Sequence, residues 1–127
     1  MFRKLSILLG SVLILLSACS SNTFTFSGET DNWSAELEVT QHSNDFEDQD
    51  FKLQYKGQDV SSVGEITFTV DTNAGGFSRS GDTLNENGFI QTSKQANPTN
   101  AKIIENAEIE VTVEWNGSKE SFILVNN

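Results

Sequence analysis

A single cysteine, a single histidine and a single proline occur in this chain of 127 residues. One cysteine excludes an intrachain disulfide framework and a multi-cysteine zinc site, and one histidine excludes paired-histidine metal motifs. Positive charge is also scarce, with 8 Lys and Arg against 18 Asp and Glu. Proteins gain affinity for nucleic acid largely from Lys and Arg on phosphates, so a polyanion of this kind has no electrostatic route to nucleic acid. Anionic lipid headgroups would repel it as well.

What the chain does have begins at its N-terminus. Residues Met1 to Cys19 read MFRKLSILLGSVLILLSAC, with Arg3 and Lys4 ahead of an uncharged apolar run from Leu5 to Leu16 and then small residues. This is the layout of a secretory signal peptide. The run falls short of the roughly 20 residues that span a bilayer, which favours a removable signal over a permanent transmembrane helix. Leu16-Ser17-Ala18-Cys19 resembles the bacterial lipobox. The resemblance implies a bacterial lipoprotein whose Cys19 carries a diacylglyceryl thioether and becomes the mature N-terminus. Two acyl chains on one glyceryl group suffice for stable anchoring, where one does not.

Three segments are therefore expected: a signal peptide over 1–18, a short lipid-anchored tether over 19–22 and one domain over 23–127. Without the signal, 109 residues remain, carrying 6 cations and 18 acids for a net charge of −12. That charge favours standing away from a membrane surface and discourages self-association.

Beyond Cys19 the apolar spacing is strand-like. Trp33, Ala35, Leu37 and Val39 alternate with polar residues, as do Phe51, Leu53 and Tyr55, then Ile66, Phe68 and Val70, then Ile109, Val111, Val113 and Trp115. A period of two marks half-buried strands. Shorter candidates are Thr23 to Ser27, Phe77 to Leu84, Gly88 to Thr92 and Phe122 to Val125, with turn chemistry at Gly28 to Asn32, Asn73 to Gly76 and Asn85 to Gly88. Asn116-Gly117 supplies the two positive-φ residues of a type I′ hairpin turn. A two-residue loop there sets Trp115 opposite Ser118, Glu114 opposite Lys119, Val111 opposite Phe122 and Ile109 opposite Leu124. Acidic Glu36 and Glu38 against basic Lys52 and Lys56 predict a second antiparallel pair. The strands bearing Glu36/Glu38 and Glu108/Glu110/Glu114 should not be neighbours, since like charges face to face are destabilising. One open sheet would not cover four one-sided strands. The expected fold is all-β, an antiparallel two-sheet sandwich of immunoglobulin-like type with seven to nine short strands, and a small closed barrel is the alternative. Gln91 to Asn106 resists the pattern and reads as a long crossover pinned by Ile103 and Ile104.

Candidate sites are few. Asp45-Phe46-Glu47-Asp48-Gln49-Asp50 puts four carboxylates into six residues, and calcium takes six to eight oxygen ligands, yet the segment lacks the glycine and terminal Glu of an EF-hand loop. A solvated acidic turn, with Phe46 folded back on the sheet edge, explains it more simply. Asp71, Asn73, Gly76 and Asp82 resemble an EF-hand loop only in part, because Gly75 and Asp82 depart from the pattern and no helices flank it. A glycine-rich turn accounts for the same residues. His42 beside Ser43 and Asp45 offers no arranged triad. A pair of carboxylates could cleave glycans, though no particular pair stands out among so many acids. Trp33 and Trp115 would form carbohydrate platforms only if exposed. No catalytic residue, metal ligand or cofactor site is assigned, and Cys19 is the one assigned position, for lipid attachment.

Phe26-Ser27-Gly28-Glu29, Asn32-Trp33 and Glu108 through Gly117 with Glu120 and Phe122 resemble the two ends of small uncharacterised lipoproteins of Bacillus-like bacteria. That likeness implies an anchor and an architecture and transfers no activity. It places the protein in the cell envelope, on the outer leaflet of the cytoplasmic membrane, or at the outer membrane in a Gram-negative cell. The expectation is a lipid-anchored binding or interaction module without catalysis, meeting the membrane through its diacylglyceryl group and an envelope protein or wall component through its domain. A divalent-cation-binding protein using an acidic loop is the runner-up, and a small glycan-acting enzyme the third reading.

Overall fold

The computed structural model describes residues 21–97 and 102–127. Cys19, the signal peptide and Pro98 lie outside the described residues. Eight antiparallel strands follow one another: β1 (Ser21–Glu29), β2 (Trp33–His42), β3 (Glu47–Tyr55), β4 (Glu65–Thr72), β5 (Gly75–Thr83), β6 (Phe89–Ala96), β7 (Ile109–Trp115) and β8 (Ser118–Asn126). The single 3-10 turn among the described residues is Val60–Ser62. The expectation of an all-β antiparallel domain with seven to nine strands is met.

All eight strands belong to one sheet, in the order β5-β4-β7-β8-β1-β2-β3-β6. The sheet curls until it is nearly closed and barrel-like, which is how one sheet buries the apolar side of every strand but β5, whose Phe77 is half-buried. Its two edges, β5 and β6, approach through side chains: Arg79 Nη1 donates to Thr92 Oγ1 at 3.1 Å. Phe51 from β3 stacks on Phe68 from β4 at 5.4 Å between ring centroids, with Phe77 from β5 edge-on at 5.8 Å. These contacts join opposite walls through the interior.

Register follows from the alternating pattern. In the Asn116-Gly117 hairpin both residues have positive φ, 47° and 73°, and the pairs Trp115–Ser118, Glu114–Lys119, Val111–Phe122 and Ile109–Leu124 are those the sequence predicts. β2 and β3 pair as expected, with Glu36 opposite Lys52. Elsewhere the charge match is looser. Lys52 Nζ lies 4.3 Å from the centroid of the Phe89 ring. Lys56 donates to the carbonyl of Thr30 at 2.8 Å. Glu38 faces Asp50, a like-charge pair on the solvated side whose Asp50 carboxylate turns to Ser93 Oγ at 2.5 Å. β2 and β7 are not neighbours.

Three boundaries differ from expectation. β3 begins at Glu47, so most of the supposed acidic loop is strand, and the turn shrinks to residues 43–46. β6 runs on to Ala96, which shortens the long crossover. β1 starts at Ser21, paired with His42, so part of the expected tether is strand. In each case cross-strand pairing overrides weak local propensity.

The first and last strands join the two halves of the sheet. Phe26 pairs with Asn126 and Ser27 with Val125, and Asn127 N donates to the Thr25 carbonyl at 3.0 Å. Gly28 makes this approach feasible: a Cβ there would stand 2.3 Å from the Ile123 carbonyl oxygen. Backbone cannot yield as a flexible side chain can. Gly28→Ala is therefore expected to destabilise the domain by about 1–3 kcal/mol, the usual cost of overpacking, read as a lower urea midpoint. An unchanged midpoint would show that the seam tolerates the added methyl.

Candidate polar site at one end of the barrel

The inward side of the sheet changes character along the barrel axis. At the end where β2 begins, Trp33, Tyr55 and Trp115 pack ring against ring, 5.2 and 5.3 Å from the Trp33 centroid. Trp33 is fully buried and Trp115 half-buried, so Trp33 is not available as a carbohydrate platform and Trp115 rests edge-on against it. The Trp33 Nε1 has no hydrogen-bond partner among the described residues. At this end Glu120 binds the β1–β2 turn, accepting from Thr30 Oγ1 at 2.6 Å and Asn32 Nδ2 at 2.5 Å.

The other end is polar. Glu47 and Gln49 continue the inward parity of Phe51 and Leu53, and Gln41 continues that of Leu37 and Val39. Glu47 is only 1% exposed. Its carboxylate accepts three hydrogen bonds: from Gln49 Nε2 at 2.8 Å, from Gln41 Nε2 at 2.8 Å and from the Ile103 backbone N–H at 3.2 Å. Buried charge is costly unless fully bonded, and here three donors answer it. The Gln41 amide also donates to the Ile103 carbonyl at 2.7 Å. Beside the cluster is a cavity of about 50 Å³ bordered by Glu47, Gln49, Thr72 and Lys94.

This arrangement holds residues 102–108, the strap that leads into β7. Ile103 and Ala107 enter the core, whereas Ile104 is 52% exposed, so only one member of the expected Ile pair is pinned inside. The Asn73 side chain clamps the strap from the β4–β5 hairpin, donating to the Lys102 carbonyl at 2.8 Å and accepting from Ile104 N at 3.2 Å. Asn73 therefore serves a turn and a staple, and its partners from the EF-hand-like string lie within an ordinary hairpin in which Asp71 pairs with Gly76.

The acidic stretch Asp45 to Asp50 does not converge. Asp45 stands 3.3 Å from Lys102 Nζ, Glu47 points inward, Asp48 meets His42 and Gln95, and Asp50 meets Ser93. Among the described residues no group of three or more His, Cys, Asp or Glu could hold a metal ion. His42 does not assemble with Ser43 and Asp45; its Nε2 bonds Asp48 Oδ2 at 2.8 Å across the β2–β3 pair. Asp82, the last member of the EF-hand-like string, pairs with Arg79 instead, 2.9 Å from Nε. Among the described residues no helix is long and apolar enough to cross a membrane.

No protein-family model, curated protein or solved structure matches this chain. Any functional reading must therefore come from the chain's own sequence and geometry. The sequence places Glu47 among its acidic neighbours, Asn73 in the EF-hand-like string and Glu120 beside the C-terminal turn, and it shows none of their structural roles. The signal for Glu47 was its parity: counted back from Leu53 and Phe51, positions 49 and 47 fall on the inward face.

Two outcomes follow from these bonds. Glu47→Ala strands the buried Gln49 amide and the Ile103 backbone N–H, at about 1–3 kcal/mol for each group left unsatisfied, while the half-buried Gln41 amide keeps its bond to the Ile103 carbonyl. Glu47→Gln keeps an acceptor oxygen, and Gln49 can reverse its amide, so the urea midpoint should fall clearly less than in Glu47→Ala. Equal losses in the two variants would count against the hydrogen-bond account. For Asp48, the His42 hydrogen bond, ahead of the opposing effect of desolvation, holds the carboxyl below its ordinary value of 3.8. A carboxyl with a lowered folded-state pKa stabilises the fold above its unfolded value, and the contribution disappears as pH falls through the folded value. Carbon-detected titration should place the Asp48 midpoint below 3.8 in the parent and return it toward 3.8 in His42→Ala. A parent midpoint at or above 3.8 would contradict the bond.

Proposed function

We propose that this protein is a lipid-anchored binding or interaction module of the bacterial cell envelope, without chemistry of its own. The observation that carries the reading is the box Leu16-Ser17-Ala18-Cys19 at the end of a signal-like segment, two residues before the first strand of an all-β domain. Cys19 receives the diacylglyceryl group, and the domain stands on the outer leaflet of the cytoplasmic membrane, or at the outer membrane in a Gram-negative cell. The conspicuous polar residues support this reading, because each has a structural occupation. Glu47 and Asn73 hold the strap, Glu120 holds the β1–β2 turn, and His42 pairs with Asp48.

The finer architectural reading belongs with this proposal. The β1–β8 seam divides the curled sheet into β6-β3-β2-β1 and β8-β7-β4-β5, four strands each. We regard these as the two layers of an immunoglobulin-like sandwich, an architecture that presents loops at both ends to partners.

The test is made in intact cells. The parent chain should fractionate with membranes, and Cys19→Ser should release it into the soluble or secreted fraction. Cross-linking with mass spectrometry on the anchored parent should give adducts with an envelope protein or wall fragment. A chain that stays with the membrane after Cys19→Ser overturns the anchor, and one that remains monomeric and unlinked overturns the interaction role.

A further inference from the structure

Where β1 begins decides which end of the barrel meets the anchor. Ser21 is already in the strand and pairs with His42, beside the β2–β3 turn. Cys19 precedes Ser21 by two residues. Extended chain covers at most about 3.3 to 3.6 Å per residue, so the anchor reaches no more than about 7 Å from the first strand. At 0.15 M ionic strength charge repulsion fades over about 8 Å, a distance comparable to the whole tether. The stand-off that net charge favours has almost no chain to act through.

The same end carries the strap. Gln41 and Glu47, which flank the β2–β3 turn, bond the backbone of Ile103, and Asp45 in that turn pairs with Lys102. Ile103 is 1% exposed and Ile104, its neighbour, is 52% exposed. Ile104 is also held: its backbone N–H is bonded to Asn73 Oδ1. Of the three large hydrophobic residues exposed among those described, Ile123 and Val125 lie along β8, and Ile104 alone lies on the strap.

We infer that this end of the barrel seats on the bilayer, with Ile104 as its apolar contact in the headgroup region and the β2–β3 turn beside it. The inference rests on the anchoring reading above. One half-exposed isoleucine would not hold a free protein on a membrane. A tether makes the contact intramolecular, and the effective concentration it supplies reaches the millimolar range for short flexible linkers. The contact is apolar because the charges at this end do not favour an anionic surface. Lys102 and Lys94 are outnumbered by Asp45, Asp71 and Glu105, and Asp48 sits beside His42. A zwitterionic surface is therefore the fitting partner. Seating this end directs the opposite one, with the Asn116-Gly117 turn, away from the membrane.

The single cysteine makes the test direct, since lipidation consumes it and any introduced thiol is then unique. A polarity-sensitive fluorophore is placed on Ile104→Cys, Ser43→Cys or Ser118→Cys in the full lipidated chain. Each is reconstituted into phosphatidylcholine vesicles containing nitroxide-labelled headgroups. Labels at 104 and 43 should shift to the blue and be quenched several-fold more than the label at 118, and added salt should change neither. If intact mass shows the lipid and position 104 behaves like 118, the seating is overturned and the anchor stands. If intact mass shows no lipid, the anchoring reading falls and the seating falls with it. Position 43 serves as the second reporter should substitution at 104 disturb the strap.

Discussion

The joint between the first and last strands, in the middle of the sheet, is the constraint on which the remainder rests. β1 and β8 lie nearly a whole chain apart in sequence, and their joint is narrow, with two paired positions, the Asn127 backbone bond and a side-chain bond from Ser27 to Asn127. Everything to one side of that joint, β2, β3 and β6, hangs from β1, and everything to the other, β7, β4 and β5, hangs from β8. Without the joint neither four-stranded half could bury its apolar side except against the other half through side chains alone. Gly28 stands where the two backbones come closest. The first and last strands meet elsewhere around this joint too: Gly28 lies against Ile123, and Asn32, in the turn after β1, donates to Glu120.

The curled sheet also has two ends that must be finished differently. Aromatic rings fill the end near Trp33, where large apolar area is buried and Glu120 ties down the adjoining turn. The opposite end is filled by a strap whose backbone is not in a sheet, and such backbone needs hydrogen-bond partners once it is covered. Glu47, Gln41 and Asn73 provide them. A buried carboxylate is a costly device, but its two oxygens accept from three elements at once, which an apolar residue of the same size could not do. Specific closure of the strap over the core is the return for that cost.

Much of the fold was legible because its strongest signals are local. The Asn116-Gly117 turn fixes its own register, and the alternation around Val111 and Phe122 selects the same pairing independently. Strands whose inward residues are polar were harder to see. Glu47 and Gln49 look like loop when judged by residue type and like strand when judged by parity, and pairing with Gln41 and Val39 decides between them. The same holds for β6, whose Ser93 to Gln95 stretch is polar but lies against Asp50 to Asp48. The polar end was missed for a related reason: its hydrogen bonds tie residues 41, 47 and 73 to residues 102–104, and no spacing within one segment encodes such a meeting.

The acidity of the chain takes its meaning from this geometry. A cluster of carboxylates in sequence is a site only if the backbone turns them toward one point, and an extended strand does the opposite by sending alternate residues to opposite faces. Glu47 goes inward while Asp48 and Asp50 go outward, each to a different neighbour on β2 or β6. Extension therefore converts what reads as an acidic turn into one structural carboxylate and a set of dispersed surface charges. Dispersed charge of one sign discourages self-association. Among the described residues the large exposed apolar side chains are few, and of these Ile104 alone lies on the strap, its backbone N–H bonded to Asn73.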